Sequence, residues 1–210
     1  TISGNNHICS GQSTTLTANG TGSYAWSNGA NTSFITVNTP GNYSVTVTLP
    51  NGCASSATVD VTMGTTPTPT ILGNTTICQG ETTTLTASGG SSYVWSDGSS
   101  NNTISVSQSG VYTVTATNTE GCSNTANVTV TVNPLPNVSI SGNNSFCQGD
   151  NVTLTAIGPS SYAWSNTSSN ASITVSNAGN YSVTGTDANG CSNTASKTVT
   201  VNPTYNVAIA

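Results

Sequence analysis

Charge is what this sequence has least of. Lys197 is the only basic side chain in 210 residues, and six acids are scattered through the rest. Without cations to neutralise phosphate, nucleic acid is excluded as a partner, and so is a polybasic membrane patch. Among the acids only Glu81 and Asp150 stand at matching places in the chain, and Gln12 takes the third such place. A calcium site needs several oxygen ligands, carboxylates among them, so none is expected. The single histidine, His7, lacks the partners that general-base or nucleophilic chemistry requires and reads as a solvated loop residue. No enzymatic activity and no cofactor are therefore expected. No apolar run approaches the ~18–20 residues of a membrane span, so membrane insertion is not expected either. No signal peptide precedes Thr1, which is expected to open a mature product or a window from a longer chain.

What the chain does have, it has three times. Ser23-Tyr24-Ala25-Trp26-Ser27 returns as Ser92-Tyr93-Val94-Trp95-Ser96 and as Ser161-Tyr162-Ala163-Trp164-Ser165, a step of 69 residues each time. The cysteines keep the same step, Cys9, Cys78 and Cys147 in one series and Cys53, Cys122 and Cys191 in the other. This is a tandem array without insertions. Repeats are expected over residues 1–66, 67–135 and 136–203, with 204–210 beginning a further repeat or serving as a strand donated to a neighbour. Within a repeat, apolar residues alternate, as in Thr14, Leu16 and Ala18, in Tyr43, Val45, Val47 and Leu49, and in Ala57, Val59, Val61 and Met63. Period two with turn signals such as Asn51-Gly52, and no helical period, describes an all-β antiparallel sandwich. The tryptophans Trp26, Trp95 and Trp164 and the tyrosines Tyr43, Tyr112 and Tyr181 are its expected core. Lys197 stands where Val59 and Val128 stand, so its amine is expected to snorkel out at a rim or to guard a strand edge.

Ile8-x-x-Gly11-x-x-Thr14-x-Leu16-x-Ala18 resembles the opening of an immunoglobulin-like domain. Gly41-x-Tyr43-x-Val45, Gly110-x-Tyr112-x-Val114 and Gly179-x-Tyr181-x-Val183 resemble its strand F with the tyrosine corner. The positions of the usual core disulfide are here Ala18 and Val45. The whole repeat is most similar to the Ig-like and PKD-like modules found in tandem in secreted and surface proteins of Bacteroidetes. The resemblance implies three Ig-like sandwiches. Short linkers with proline, Gly64-Thr65-Thr66-Pro67-Thr68-Pro69 and Asn133-Pro134-Leu135-Pro136, would hold them as a rod.

That topology bears on the cysteines. Cys9 belongs at the end of the sandwich where its chain leaves, and Cys53 at the end where its chain arrives. A strand length, roughly 20 Å, separates those ends, whereas bridged Cα atoms lie within about 7 Å. Staggered pairing, Cys9 with Cys122 and Cys78 with Cys191, is the expectation. It leaves Cys53 and Cys147 for neighbouring repeats or subunits. The alternative pairs Cys9 with Cys53, Cys78 with Cys122 and Cys147 with Cys191. Either places the protein in an oxidising setting, extracellular or on a bacterial cell surface.

The functional expectation is a structural extracellular protein, a stiff stalk or filament of disulfide-stapled repeats. The alternative is an adhesin or carbohydrate-binding surface module working through its loops. The expected partner is the protein itself, head to tail or by continuation in a longer chain. Covalent glycan is expected on the Ser/Thr-rich surface and at sequons such as Asn31, Asn101 and Asn170. Asn206-Val207-Ala208-Ile209-Ala210 matches Asn137-Val138-Ser139-Ile140-Ser141, which makes it the candidate strand to engage the first repeat of another copy.

Overall fold

The computed structural model describes residues 1–204, so the strand expected at 204–210 lies, from residue 205 on, outside the described residues. Alternation in the sequence becomes seven strands per repeat. The first repeat comprises β1 (Ile2–Ser3), β2 (His7–Cys9), β3 (Thr14–Ala18), β4 (Ser23–Trp26), β5 (Phe34–Val37), β6 (Gly41–Thr48) and β7 (Ala54–Gly64). The second comprises β8 (Thr70–Leu72), β9 (Thr76–Cys78), β10 (Thr83–Ser88), β11 (Ser92–Trp95), β12 (Thr103–Val106), β13 (Gly110–Thr117) and β14 (Ser123–Asn133). The third comprises β15 (Ser139–Ser141), β16 (Ser145–Cys147), β17 (Val152–Ile157), β18 (Ser161–Trp164), β19 (Ser172–Val175), β20 (Gly179–Thr186) and β21 (Ser192–Asn202). No helix among the described residues is long and apolar enough to cross a membrane.

Each repeat forms two sheets, in the first repeat β1-β3-β5 and β2-β7-β6-β4, and the same two orders recur in the others. This is an Ig-like sandwich, and the chain is a tandem array of them. One pairing within the antiparallel plan is parallel: β2 runs beside β7, with Ile8 opposite Met63 and Cys9 opposite Gly64. The cause is a change of sheet after β1. Gly4 (φ +137°) lies so close to the Thr15 carbonyl that a Cβ would stand 2.3 Å from its oxygen. A side chain there would push the crossing away from β3.

The first core gathers Ile8, Leu16, Ala18, Trp26, Ile35, Val37, Val45 and Val61, and its counterpart in the third repeat centres on Leu154, Trp164 and Val183. Trp26, Trp95 and Trp164 are 4%, 2% and 4% exposed. Each indole is held the same way, its Nε1 donating over 2.9 Å to the carbonyl of Thr32, Asn101 or Asn170. Tyr43, Tyr112 and Tyr181 are half-buried instead of enclosed. A phenol needs a polar partner when it leaves water. Tyr43 donates to the Thr39 carbonyl at 3.1 Å and Tyr181 to the Asn177 carbonyl at 2.9 Å, which sets both rings at the rim. Leu49 and Met63, expected to face inward, are about 40% exposed. Leu49 lies in the turn beyond β6, and Met63 lies near the end of β7, which is far longer than the strands of the opposite sheet.

By contact density the chain divides into two compact units. One holds residues Thr1–Gly73, Thr84–Ser105 and Val111–Thr129, the other Asn74–Thr83, Val106–Gly110 and the described residues from Val130 onward. The second repeat is shared between them. Its turn before β14 is tied back to the first repeat, and its β9 carries the cysteine bonded to the third.

Candidate functional site

The site is a joint between repeats, built twice from the same parts. Cys9 ends β2, and its sulfur is bonded to Cys122 just before β14, with the Cα atoms 5.5 Å apart. Cys78 ends β9 and is bonded in the same manner to Cys191 before β21, again at 5.5 Å between Cα atoms. Both bonds span 113 residues. The within-repeat pairs Cys9–Cys53, Cys78–Cys122 and Cys147–Cys191 are not formed, and Cys53 and Cys147 are free and exposed.

Turn chemistry positions the receiving cysteines. Asn118 Oδ1 accepts the amides of Glu120 and Cys122 at 3.1 and 2.9 Å, while Asp187 Oδ1 accepts those of Asn189 and Cys191, both at 2.9 Å. An Asx side chain closing its own turn is a common way to fix a loop. Beside each cysteine, a side chain of the long last strand grips the incoming linker. Asn124 Nδ2 donates to the Pro67 carbonyl at 3.0 Å, and Asn193 Nδ2 to the Pro136 carbonyl at 3.1 Å. At the first joint Asn118 Nδ2 also donates to the Thr65 carbonyl at 2.7 Å, and Glu120 Oε2 accepts the Thr65 amide at 2.8 Å. Pro67 is buried, as are Cys122 and Cys191, both 0% exposed.

The first repeat carries the counterparts of this receiving surface. A cleft of about 270 Å³ opens there, lined by Gly20, Val45, Val47, Leu49, Cys53 and Ser55 among others. Gly89, the counterpart of Gly20, lies against the linker backbone at Thr68 and Pro69; Gly158, the next counterpart, lies against Asn137 and Val138. Leu49 and Ser55 stand where the gripping Asn118 and Asn124 stand in the second repeat, and Asn51 Oδ1 instead accepts the Cys53 amide at 3.1 Å.

His7 is not the solvated loop residue expected. It begins β2, its Nδ1 is 2.8 Å from Thr62 Oγ1, and its Nε2 is buried with no hydrogen-bond partner. The β2–β7 pairing packs the ring against the end of β7, next to Glu120 and Cys122. Sequence reasoning missed this group, although a signal existed. His7, Gly64 and Glu120 all depart from their counterparts, Thr76 and Ser145, Asn133 and Asn202, Asn51 and Asn189, and all three meet at one joint. Lys197 donates from Nζ to the Gly142 carbonyl at 2.6 Å, which anchors the amine to the turn before β16. The sequon asparagines Asn31, Asn101 and Asn170 are exposed.

No family model and no curated protein matches the chain. Solved structures do. The N-terminal eight Ig domains of Down Syndrome Cell Adhesion Molecule align over 94% of the chain at 16% identity, with a TM-score of 0.46. The chain spans 35% of the length of that eight-domain structure. An I-band fragment of titin aligns over 93% of this chain and 95% of its own, at 17% identity and a TM-score of 0.42. A structure of a 1.5-MDa bacterial ice-binding adhesin aligns over 95% of both chains, at 17% identity and a TM-score of 0.36. No function transfers at this level of similarity.

Proposed function

We propose that the chain is a structural protein of the extracellular space or a bacterial cell surface, a stiff stalk or filament whose Ig-like repeats are stapled one to the next and carry glycan on their hydroxyl-rich faces. One observation carries the reading: a joint made of a disulfide and a gripped proline linker is built twice from the same parts, each time between one repeat and the next. The same geometry applied once more would bond Cys53 to Cys147 of another copy, or to the matching cysteine of a further repeat in a longer chain; both Cys53 and Cys147 are free and exposed. The segment Asn206-Val207-Ala208-Ile209 matches Asn137-Val138-Ser139-Ile140 at three of four positions, which suits it to follow such a linker. A head-to-tail contact of this kind is heterologous and propagates into an open filament instead of a closed ring. Disulfide bonds in an array of small domains fit an oxidising compartment, and the exposed Asn31, Asn101 and Asn170 are accessible for glycan attachment.

The test is oxidation of the purified chain at rising concentration, read on non-reducing gels and by electron microscopy. The reading expects a ladder of covalent multimers that a thiol reagent collapses and that Cys53→Ser or Cys147→Ser each abolishes. A chain that stays monomeric, with both thiols titratable at every concentration, contradicts the self-assembly.

A further inference from the structure

The first joint contains a side-chain cluster that the second lacks. A His7 ring nitrogen, a Glu120 carboxylate oxygen and Cys122 Sγ all lie within 4.8 Å of one another. The space for them exists because residue 64 is glycine. A Cβ there would lie 2.5 Å from His7 Nε2, 2.9 Å from Cys122 Sγ and 3.0 Å from Glu120 Oε2. At the second joint the three places hold Thr76, Asn133 and Asn189, which supply neither the ligands nor the gap. The arrangement is also incomplete as it stands. Thr62 Oγ1 occupies Nδ1, and Nε2 is buried with no hydrogen-bond partner, beside the Glu120 carboxylate, whose Oε2 accepts the Thr65 amide and hydroxyl at 2.8 and 3.2 Å. A ring oriented through Nδ1 and bare at Nε2 is the usual posture of a metal-ligating histidine.

We propose that this joint is a redox-gated site for a zinc-class divalent ion, held by His7 Nε2, the Glu120 carboxylate and the thiolates of Cys122 and Cys9 once the Cys9–Cys122 disulfide is opened. Opening requires a dithiol or phosphine reductant. The disulfide takes up two electrons and two protons to become two thiols while the reductant is oxidised, and each thiol releases its proton to solvent as its sulfur binds the ion. One nitrogen, one oxygen and two sulfurs suit zinc in tetrahedral geometry, with bonds of about 2.0–2.3 Å that set ligand atoms roughly 3.3–3.8 Å apart. Calcium and magnesium, which want only oxygen, are disfavoured. The ion then links the end of β2 to the Glu120 turn in the reduced chain, as the disulfide does in the oxidised one.

The experiment uses the full chain carrying Cys53→Ser and Cys147→Ser, reduced with a phosphine under nitrogen and titrated with Co²⁺ as a spectroscopic probe. The expected result is one Co²⁺ per chain, with thiolate-to-metal absorption and tetrahedral visible bands that Zn²⁺ bleaches, and no such bands before reduction. His7→Thr and Glu120→Asn carry residues that other repeats use at these places, and far-ultraviolet circular dichroism checks that both variants fold. Each is expected to weaken binding at least tenfold, and Gly64→Asn to abolish it. Absence of thiolate bands in the reduced chain overturns the proposal. So does binding unchanged in His7→Thr and Glu120→Asn, which would reduce the site to an adventitious dithiol.

Discussion

Replacing Trp26 by alanine tests the core on which each repeat depends. The indole is 4% exposed, faces Val45 on the neighbouring strand, and donates to the Thr32 carbonyl. Truncating a buried tryptophan costs about 3–5 kcal/mol, through lost transfer energy and the cavity left behind. The lost hydrogen bond accounts for about 1 kcal/mol of this, at the low end because Thr32 is exposed and water can reach its carbonyl. At about 1.4 kcal/mol per decade, amides in β3 to β6 should exchange with solvent roughly 10² to 10⁴ times faster than in the parent. Amides of the third repeat, whose core is its own, should keep their protection. Trp26→Phe refills most of the volume and should recover more than half of the loss. The assay is hydrogen exchange resolved by peptide mass spectrometry on the oxidised full chain. A change below tenfold in the first repeat, or equal loosening of all three, would refute the independent tryptophan-centred cores.

Other expectations come from particular residues. Thr167 is the one non-glycine residue with positive φ among those described, at +70°, where the first and second repeats have Gly29 and Gly98 at +86° and +87°. Thr167→Gly should therefore stabilise the third repeat by about 1 kcal/mol in urea unfolding, since a β-branched residue pays a steric cost in that region; a destabilised variant would contradict this. The Asp97 carboxyl is held below its ordinary value of 3.8, first by the Ser99 backbone amide and then by the Ser99 side chain. A carboxyl lowered by folding contributes stability that is full above its unfolded value and is lost as pH falls through the folded one. Asp97→Asn, the residue at Asn28 and Asn166, should remove that acid-dependent part while leaving the turn intact; an unchanged acid limb of the stability profile would contradict it. With so few charges to screen, stability and assembly should be nearly indifferent to salt and sensitive to thiol reagents. Dissolution by salt alone, with reductant inert, would argue against stapled joints.

Much of the fold was legible because strand patterning and repetition say the same thing three times. Thr14, Leu16 and Ala18 alternate and are all buried, and the Asn51-Gly52 signal marks the turn between β6 and β7. Alternation does not say where the opposite sheet ends, so Leu49 and Met63 were assigned inward on phase alone. Tyr43 and Tyr181 pack against the cores as phase suggests, but stay half-buried because their hydroxyls reach carbonyls of the preceding turns. The cysteine partners followed from asking which end of a sandwich each cysteine occupies, a question of topology. The His7 cluster was illegible to that reasoning because its members lie 57 and 56 residues apart and meet only where one repeat touches the next. A comparison of repeats for positions that change together would have pointed to it.

The central claim is that each joint is closed by a disulfide between one repeat and the next, and peptide mapping of the oxidised chain under non-reducing, thiol-blocked conditions tests it most directly. The account predicts peptides joining Cys9 to Cys122 and Cys78 to Cys191. Peptides joining Cys9 to Cys53 and Cys78 to Cys122 would contradict it.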